Sequence, residues 1–291
     1  MAQLLLDILH TFAIILLIGY SFRCIYSALR FFYMAHAVTL ALGGYFVFEF
    51  VFRCGLPYWS SVILAVFGGI LVMLIAYYLL YNMGLQDKIA GWKMMVVSLG
   101  LYIILENVIS IHWGNTRLSI KTWEETVGYE VLGGFITKEQ IISILVSFVL
   151  IAIVELFIKY THVGKRLMAV SVNPEMSSVC GLSNSFARAV GVTIGSALMA
   201  CAGILIGADV DLTPSMGFDW LLYGVIAMII AGTGKGRFLL LGALLLATAQ
   251  HLAALFLDNK WMNATAYVIL IVFLYFRPYG FSRQGIKKTE V

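Results

Sequence analysis

Charge is what this chain has least of. Only 34 of its 291 residues are Lys, Arg, Asp or Glu, 12% of the total, against roughly 25% in an ordinary soluble domain. So few charges cannot cover the surface of a water-soluble globule. A net charge of +4 with 14% aromatic residues also excludes a disordered chain and a nucleic-acid binder. Cysteines are few and scattered at Cys24, Cys54, Cys180 and Cys201, with no CxxC pair. Only Cys54 falls in a predicted outer loop, so no external disulfide framework is expected. No GxSxG, no HExxH and no paired intramembrane carboxylates occur, which argues against an intramembrane enzyme. The first apolar run has no positive n-region and is expected to be retained rather than cleaved.

What the chain does have is apolar length: 62% hydrophobic residues and a mean hydropathy of +0.95. Crossing a bilayer core takes about 20 apolar residues in a helix. Reading apolar runs against charged breaks gives nine such segments: 3–21, 33–51, 57–82, 91–113, 136–160, 185–208, 216–233, 238–257 and 261–277. No polar/apolar alternation of barrel type appears. The expected fold is therefore an all-α polytopic membrane protein with nine spans.

Basic residues then set the orientation. With the N-terminus outside, fourteen of the nineteen Lys and Arg fall inside: Arg23, Arg30, Lys88, Lys93, Lys159, Lys165, Arg166, Arg188, Lys235, Arg237, Arg277, Arg283, Lys287 and Lys288. The outer side receives Arg53, Arg117, Lys121, Lys138 and Lys260, together with most of the acids. That bias predicts N-out, C-in.

Span starts at 3, 33, 57 and 91 are echoed at 185, 216, 238 and 261. The echo skips an odd number of spans, so the half-repeats 3–113 and 185–277 are expected to be inverted copies joined by span 136–160. The second member of each half is short or glycine-interrupted, at Gly43-Gly44 and at Gly217, Gly224, Gly232 and Gly234. Paired interruptions in inverted repeats point to a transport pathway.

The predicted inner loop 161–184 carries the most local information. Asn173-Pro174-Glu175 reads as a helix N-cap, a proline at the first helical position and an acid on the positive end of the dipole. Gly181 is a suitable stop. A two-turn helix so placed suits either a cytoplasmic partner or the lipid headgroup layer.

Thr161, Gly164-Lys165-Arg166, Ala169, Asn173-Pro174-Glu175 and Gly181-Leu182 together resemble the cytoplasmic coupling loop of branched-chain amino-acid ABC transporter permeases of the LivH/LivM type. Met34-Ala35-His36-Ala37 before Gly43-Gly44-Tyr45 resembles that family's second span, with Ala37 where a glycine is usual. Gly232-Thr233-Gly234-Lys235-Gly236 resembles its glycine-rich turn, and Arg277-Pro278-Tyr279-Gly280-Phe281 its closing motif. The resemblance implies a permease subunit in a bacterial plasma (inner) membrane. It implies as partners a second permease subunit, homo- or heteromeric, two cytoplasmic ATP-binding subunits and an external solute-binding protein. Branched-chain amino acids are the implied cargo, with urea or short amides as the alternative. No cofactor is expected in the chain itself, because Gly232 to Lys235 lacks the Walker spacing and its strand-to-helix context.

Polar residues at membrane depth complete the candidates, since they are costly there. His36, Gly43, Gly44, Glu106, Asn107 and Gly232 are the expected pathway residues. Glu106 also suits the outer headgroup layer, and His36 also suits helix packing. Gln250 and His251 read as interhelical glue, and Glu155 as a local partner of Lys159. A self-sufficient secondary transporter would need coupling-ion carboxylates at mid-membrane, of which there are almost none.

Overall fold

A computed structural model describes residues 2–82, 91–121, 128–131, 133–232 and 236–277. Thr233 to Lys235 of the glycine-rich turn, Pro278 to Phe281 of the closing motif, and Lys88, Arg283, Lys287 and Lys288 lie outside the described residues. Along the chain run α1 (Ala2–Leu29), α2 (His36–Phe48), α3 (Tyr58–Asn82), α4 (Gly91–Trp113), a hairpin of β1 (Gly128–Val131) and β2 (Gly134–Thr137), and α5 (Lys138–Tyr160). Then follow α6 (His162–Val172), α7 (Pro174–Val179), α8 (Asn184–Asp209), α9 (Met216–Ala231), α10 (Arg237–Phe256) and α11 (Met262–Phe276).

Among the described residues each of the nine apolar segments contains a helix, although 33–35 precede α2 and 136–137 lie in β2. Six helices, α1, α3, α4, α5, α8 and α10, are long and apolar enough to cross a membrane, and α9 and α11 are shorter apolar helices. Helix α2 has 13 residues and runs on into a π-helical turn, Glu49–Arg53. The protein is an all-α polytopic membrane protein, with a small antiparallel hairpin added between α4 and α5.

The helix ends follow local chemistry. Thr137 and Gln140 form a reciprocal capping box at the start of α5, with bonds of 3.3 and 3.2 Å. Helix α9 stops at Gly232, whose φ of 78° suits a residue without a β-carbon. The largest departure from expectation is α1, which runs to Leu29 instead of ending near residue 21. Arg23 is accommodated inside it: the guanidinium bonds Glu155 of α5 at 3.2 Å and lies over the Tyr20 ring at 5.6 Å. The expected Glu155–Lys159 pair is therefore replaced by one between helices, and the Lys159 ammonium sits over the Tyr160 ring instead.

Helices α1, α2, α8 and α9 form the centre and hold most of the fully buried apolar residues. Around them α3, α4, α5, α10 and α11 turn side chains such as Trp59, Phe67, Ile111 and Ile271 outward. In a bilayer those faces meet lipid, so burial against lipid gives no drive toward the centre and close packing has to supply it. Small residues do so. A β-carbon on Gly203 of α8 would strike the Leu40 carbonyl of α2, and one on Gly43 would strike the Ala200 carbonyl. Where α1 meets α9, a β-carbon on Gly224 would lie 3.1 Å from the Gly19 nitrogen.

The packing pairs off across the centre. Helix α2 packs on α8 as α9 packs on α1; α3 reaches α8 as α10 reaches α1. The pairs α2–α3 and α2–α4 are matched by α9–α10 and α9–α11. Helix α5 lies against both α1 and α8, with Ser143 and Ser147 buried on its inner stripe.

Overpacking a filled crossing costs roughly 1–3 kcal/mol or more. Gly203→Val is therefore expected to lower the thermal unfolding midpoint of the purified protein, whereas Gly100→Ala, where an added β-carbon meets nothing within 4 Å, leaves it unchanged. Equal midpoints for the two variants would contradict this packing.

Candidate functional site

The segment between α5 and α8 is built as two capped helices. Thr161 closes α5 and opens α6, its hydroxyl accepting from the Gly164 N–H at 3.0 Å. Gly164 lies so close to the end of α5 that a β-carbon would collide with the Ile158 backbone. Gly164, Leu167 and Val170 form the buried stripe of α6, while Lys165 and Arg166 are exposed. The Asn173 side chain accepts from the Met176 N–H at 3.0 Å, Pro174 takes the first helical position and Glu175 the first turn of α7. Gly181 ends the element with a φ of 78°, and the Leu182 N–H returns to the Ser177 carbonyl at 3.0 Å.

The segment is tied to the bundle at several points. The Asn184 amide of α8 donates to the Pro174 carbonyl at 3.1 Å. Arg30, just past α1, donates to the Val172 carbonyl at 3.1 Å. Beneath α7 a recess of about 630 Å³ opens toward the ends of α1, α3, α4 and α8, bordered by Arg30, Tyr33, Tyr77, Glu175 and Arg188. The outer face of the segment presents Met168, Val172, Met176 and Val179, all exposed.

The membrane-depth candidates are not gathered into one chamber. His36 is fully buried, its Nε2 2.6 Å from the Ser21 hydroxyl of α1. That hydroxyl donates to the Gly195 carbonyl of α8 at 2.8 Å. Its single proton is thereby used, which assigns the imidazole proton to Nε2. His36 thus joins α1, α2 and α8. Gly43 and Gly44 lie at the α2–α8 crossing, Gly44 against the Leu212 side chain. On α4, Glu106 is half-buried and Asn107 is exposed, its amide donating to the Ile103 carbonyl at 2.7 Å. Gln250 is buried on α10, and His251 Nε2 lies 2.8 Å from the Thr11 hydroxyl of α1.

At the opposite end from α6 and α7, the connection from α8 to α9 is pinned by a two-residue bridge. The Leu212 N–H donates to the Leu118 carbonyl at 2.7 Å, and the Leu118 N–H returns to Leu212 at 3.2 Å. Leu212 is fully buried and wedges between Gly44 and Gly207. Nearby, Glu49 in the π-helical turn accepts from the Trp113 indole at 2.8 Å and pairs with Arg53 at 3.2 Å.

Sequence reasoning missed α6, the Arg23–Glu155 pair and the Glu49–Trp113 bond. Helix α6 had a readable signal in the spacing of Gly164, Leu167 and Val170. A carboxylate at 49 inside an apolar run was a readable demand for a partner, although its partner lies 64 residues away. The bundle is thus tied at one end to a short exposed segment and closed at the other by a leucine wedge over the α2–α8 crossing.

The family model described as "Branched-chain amino acid transport system / permease component" matches residues 4–276. The chain is 24% identical over 285 residues to the high-affinity branched-chain amino acid transport system permease protein LivH of Escherichia coli K12, covering 94% of this chain and 92% of the relative. It is 25% identical over 285 residues to the corresponding permease protein BraD of Pseudomonas aeruginosa, covering 94% and 93%. A solved structure, PsaBC from Streptococcus pneumoniae in complex with Fab, shares the fold with a TM-score of 0.53 at 12% identity, over 95% of this chain and 93% of that one. With its helices in the order read from the sequence and the family match running almost end to end, this chain belongs to the branched-chain amino-acid transport permease family.

Proposed function

We propose that the chain is one permease subunit of an ATP-driven importer in a bacterial inner membrane. All nine apolar helices cross, with the N-terminus outside and the C-terminus inside. Helices α1–α4 and α8–α11 form two inverted halves joined by α5, a reading supported by the paired helix contacts on either side of α1 and α8. A second permease subunit completes the pathway, which runs along α2 and α9, the short helices that carry Gly43, Gly44 and Gly232. Branched-chain amino acids are the cargo, with urea or short amides as the alternative. An external binding protein delivers the cargo to the side bearing the β1–β2 hairpin.

The observation that carries this reading is the segment 161–184. It combines exposed Lys165 and Arg166 with exposed Val172, Met176 and Val179 on one short, capped unit. A cytoplasmic ATP-binding subunit fits that mixed surface, and two such subunits serve the permease pair. Force applied to α7 passes to α8 through Asn184, to the end of α1 through Arg30, and to α5 through the Gly164–Ile158 contact. Helices α1, α5 and α8 are therefore the ones such a push moves first. No bond is made or broken in the cargo, so the chain needs no catalytic group, and ATP is held by the partners.

Two tests follow. In the assembled transporter, Glu175→Lys is expected to reduce ATPase stimulation by the loaded binding protein on the order of tenfold, equivalent to about 1.4 kcal/mol of coupling. Unchanged stimulation in an intact complex would contradict the role of α7. For orientation, two native thiols serve as reporters, because Cys54 and Cys180 are both exposed while Cys24 is buried. An impermeant maleimide applied to intact cells should label Cys54 and spare Cys180, and inside-out vesicles should give the reverse. Labelling of Cys180 from outside would overturn the topology.

A further inference from the structure

The recess beneath α7 opens where four membrane-length helices, α1, α3, α4 and α8, have an end in common. It therefore lies at the level of lipid headgroups, whichever way round the chain is inserted. Among the described residues its charged lining is Arg30, Glu175 and Arg188, a surplus of one positive charge. Two bonds fix how these walls meet. Arg30 Nη2 donates to the Val172 carbonyl and the Asn184 amide to the Pro174 carbonyl, each at 3.1 Å, and the two carbonyls stand two residues apart. Arg188 follows Asn184 by one turn on the same face of α8.

Arg30 stands where helix chemistry favours a glycine. It ends α1 with its N–H returned to the Tyr26 carbonyl at 2.9 Å, and among the described residues it is the one non-glycine with a positive φ, 64°. A guanidinium has five N–H donors, so the bond to Val172 leaves others for a second acceptor. Tyr33 also lines the recess. It is 1% exposed, and its hydroxyl has no hydrogen-bonding partner among the described residues. Its ring is fixed by Phe31 edge-on at 5.9 Å. Asn184 Oδ1 is likewise buried without a partner. Buried polar atoms in that state call for a guest that bonds them.

Two guanidinium forks and a phenol suit a phosphate diester, and the free amide oxygen suits a hydroxyl carried next to it. The rest of the lining, Leu29, Phe31, Leu80 and Met94, is apolar. Their neighbours Leu79 of α3 and Trp92 of α4 are exposed on the lipid side, and the Lys93 ammonium sits over the Trp92 ring at 5.6 Å, as interfacial aromatics and cations do. Free phosphate would leave that apolar wall unused.

We propose that the recess holds the headgroup of an anionic phospholipid of the phosphatidylglycerol type. Arg30 and Arg188 take the phosphate, the Tyr33 hydroxyl donates to it, and Asn184 Oδ1 accepts from the glycerol hydroxyl. The acyl chains leave past Leu80 and Met94 between the ends of α3 and α4. Basic pockets between membrane helices recognise anionic headgroups in this way. The lipid thereby becomes part of the seating of α7 on the bundle. The inference is independent of the cargo and of the ATP-driven reading.

Native mass spectrometry of the full chain, titrated with phosphatidylglycerol or phosphatidylcholine, tests it. The wild type is expected to hold one phosphatidylglycerol on the order of tenfold more tightly than phosphatidylcholine, the value of a charge-assisted fork. Arg30→Gln with Arg188→Gln should abolish that preference, and Tyr33→Phe, which removes one hydroxyl, should weaken it severalfold. Arg188→Lys should keep part of it, and Lys159→Gln, which removes an exposed charge outside the recess, should leave it unchanged. Equal retention of the two lipids by the wild type would overturn the assignment, as would a preference that survives the double variant or falls equally with Lys159→Gln. Displacement of the bound lipid by millimolar inorganic phosphate would mark the recess as a free-phosphate site and overturn the lipid as its occupant.

Discussion

Where α2 crosses α8, the Leu40 carbonyl occupies the space that a β-carbon on residue 203 would need, and the Ala200 carbonyl does the same for residue 43. In lipid, apolar side chains gain nothing by leaving their surroundings, so helices associate through close contact and satisfied polar groups. Backbone-to-backbone approach at these glycines brings α1, α2, α8 and α9 together. The Ser21–His36–Gly195 bonds add a polar tie at the same junction. The peripheral helices then pack on a centre already defined, and their outward faces stay apolar.

The two ends of that centre differ in kind. One carries a short, capped and exposed unit linked by single hydrogen bonds to the ends of α1 and α8. The other is covered by a pinned connection whose leucine fills the gap between Gly44 and Gly207. The two ends are joined by α8, which runs from one to the other without a break. Helix α8 bears small residues along its length at Gly191, Gly195, Gly203 and Gly207, and each of these marks a contact that sliding or tilting would change.

Much of this was legible in the sequence because bilayer physics leaves few alternatives. An apolar run of sufficient length has to become a helix, and the bounds 91–113 of α4 agree with the run itself. The N-cap, proline and acid at Asn173-Pro174-Glu175 act within one turn, so α7 could be read locally. Long-range pairing could not be read. Glu155 had Lys159 four residues away and still chose Arg23 from another helix, because the approach of α1 to α5 set which charges met. The wedge of Leu212 over Gly44 likewise depends on a bridge between residues 118 and 212, which no local pattern announces. The separate positions of His36, Glu106 and the glycines show the same limit: residue type marks cost at membrane depth, while packing decides which residues share a space.

The claim that this chain is a pathway without an engine is tested most directly by its energy source. The chain is reconstituted in proteoliposomes with and without its ATP-binding partners, second permease and binding protein. Solute accumulation is then measured with ATP or with an imposed ion gradient. Accumulation that requires the partners and ATP, and that ignores the gradient, is the expected result. Gradient-driven accumulation by the chain alone would contradict it.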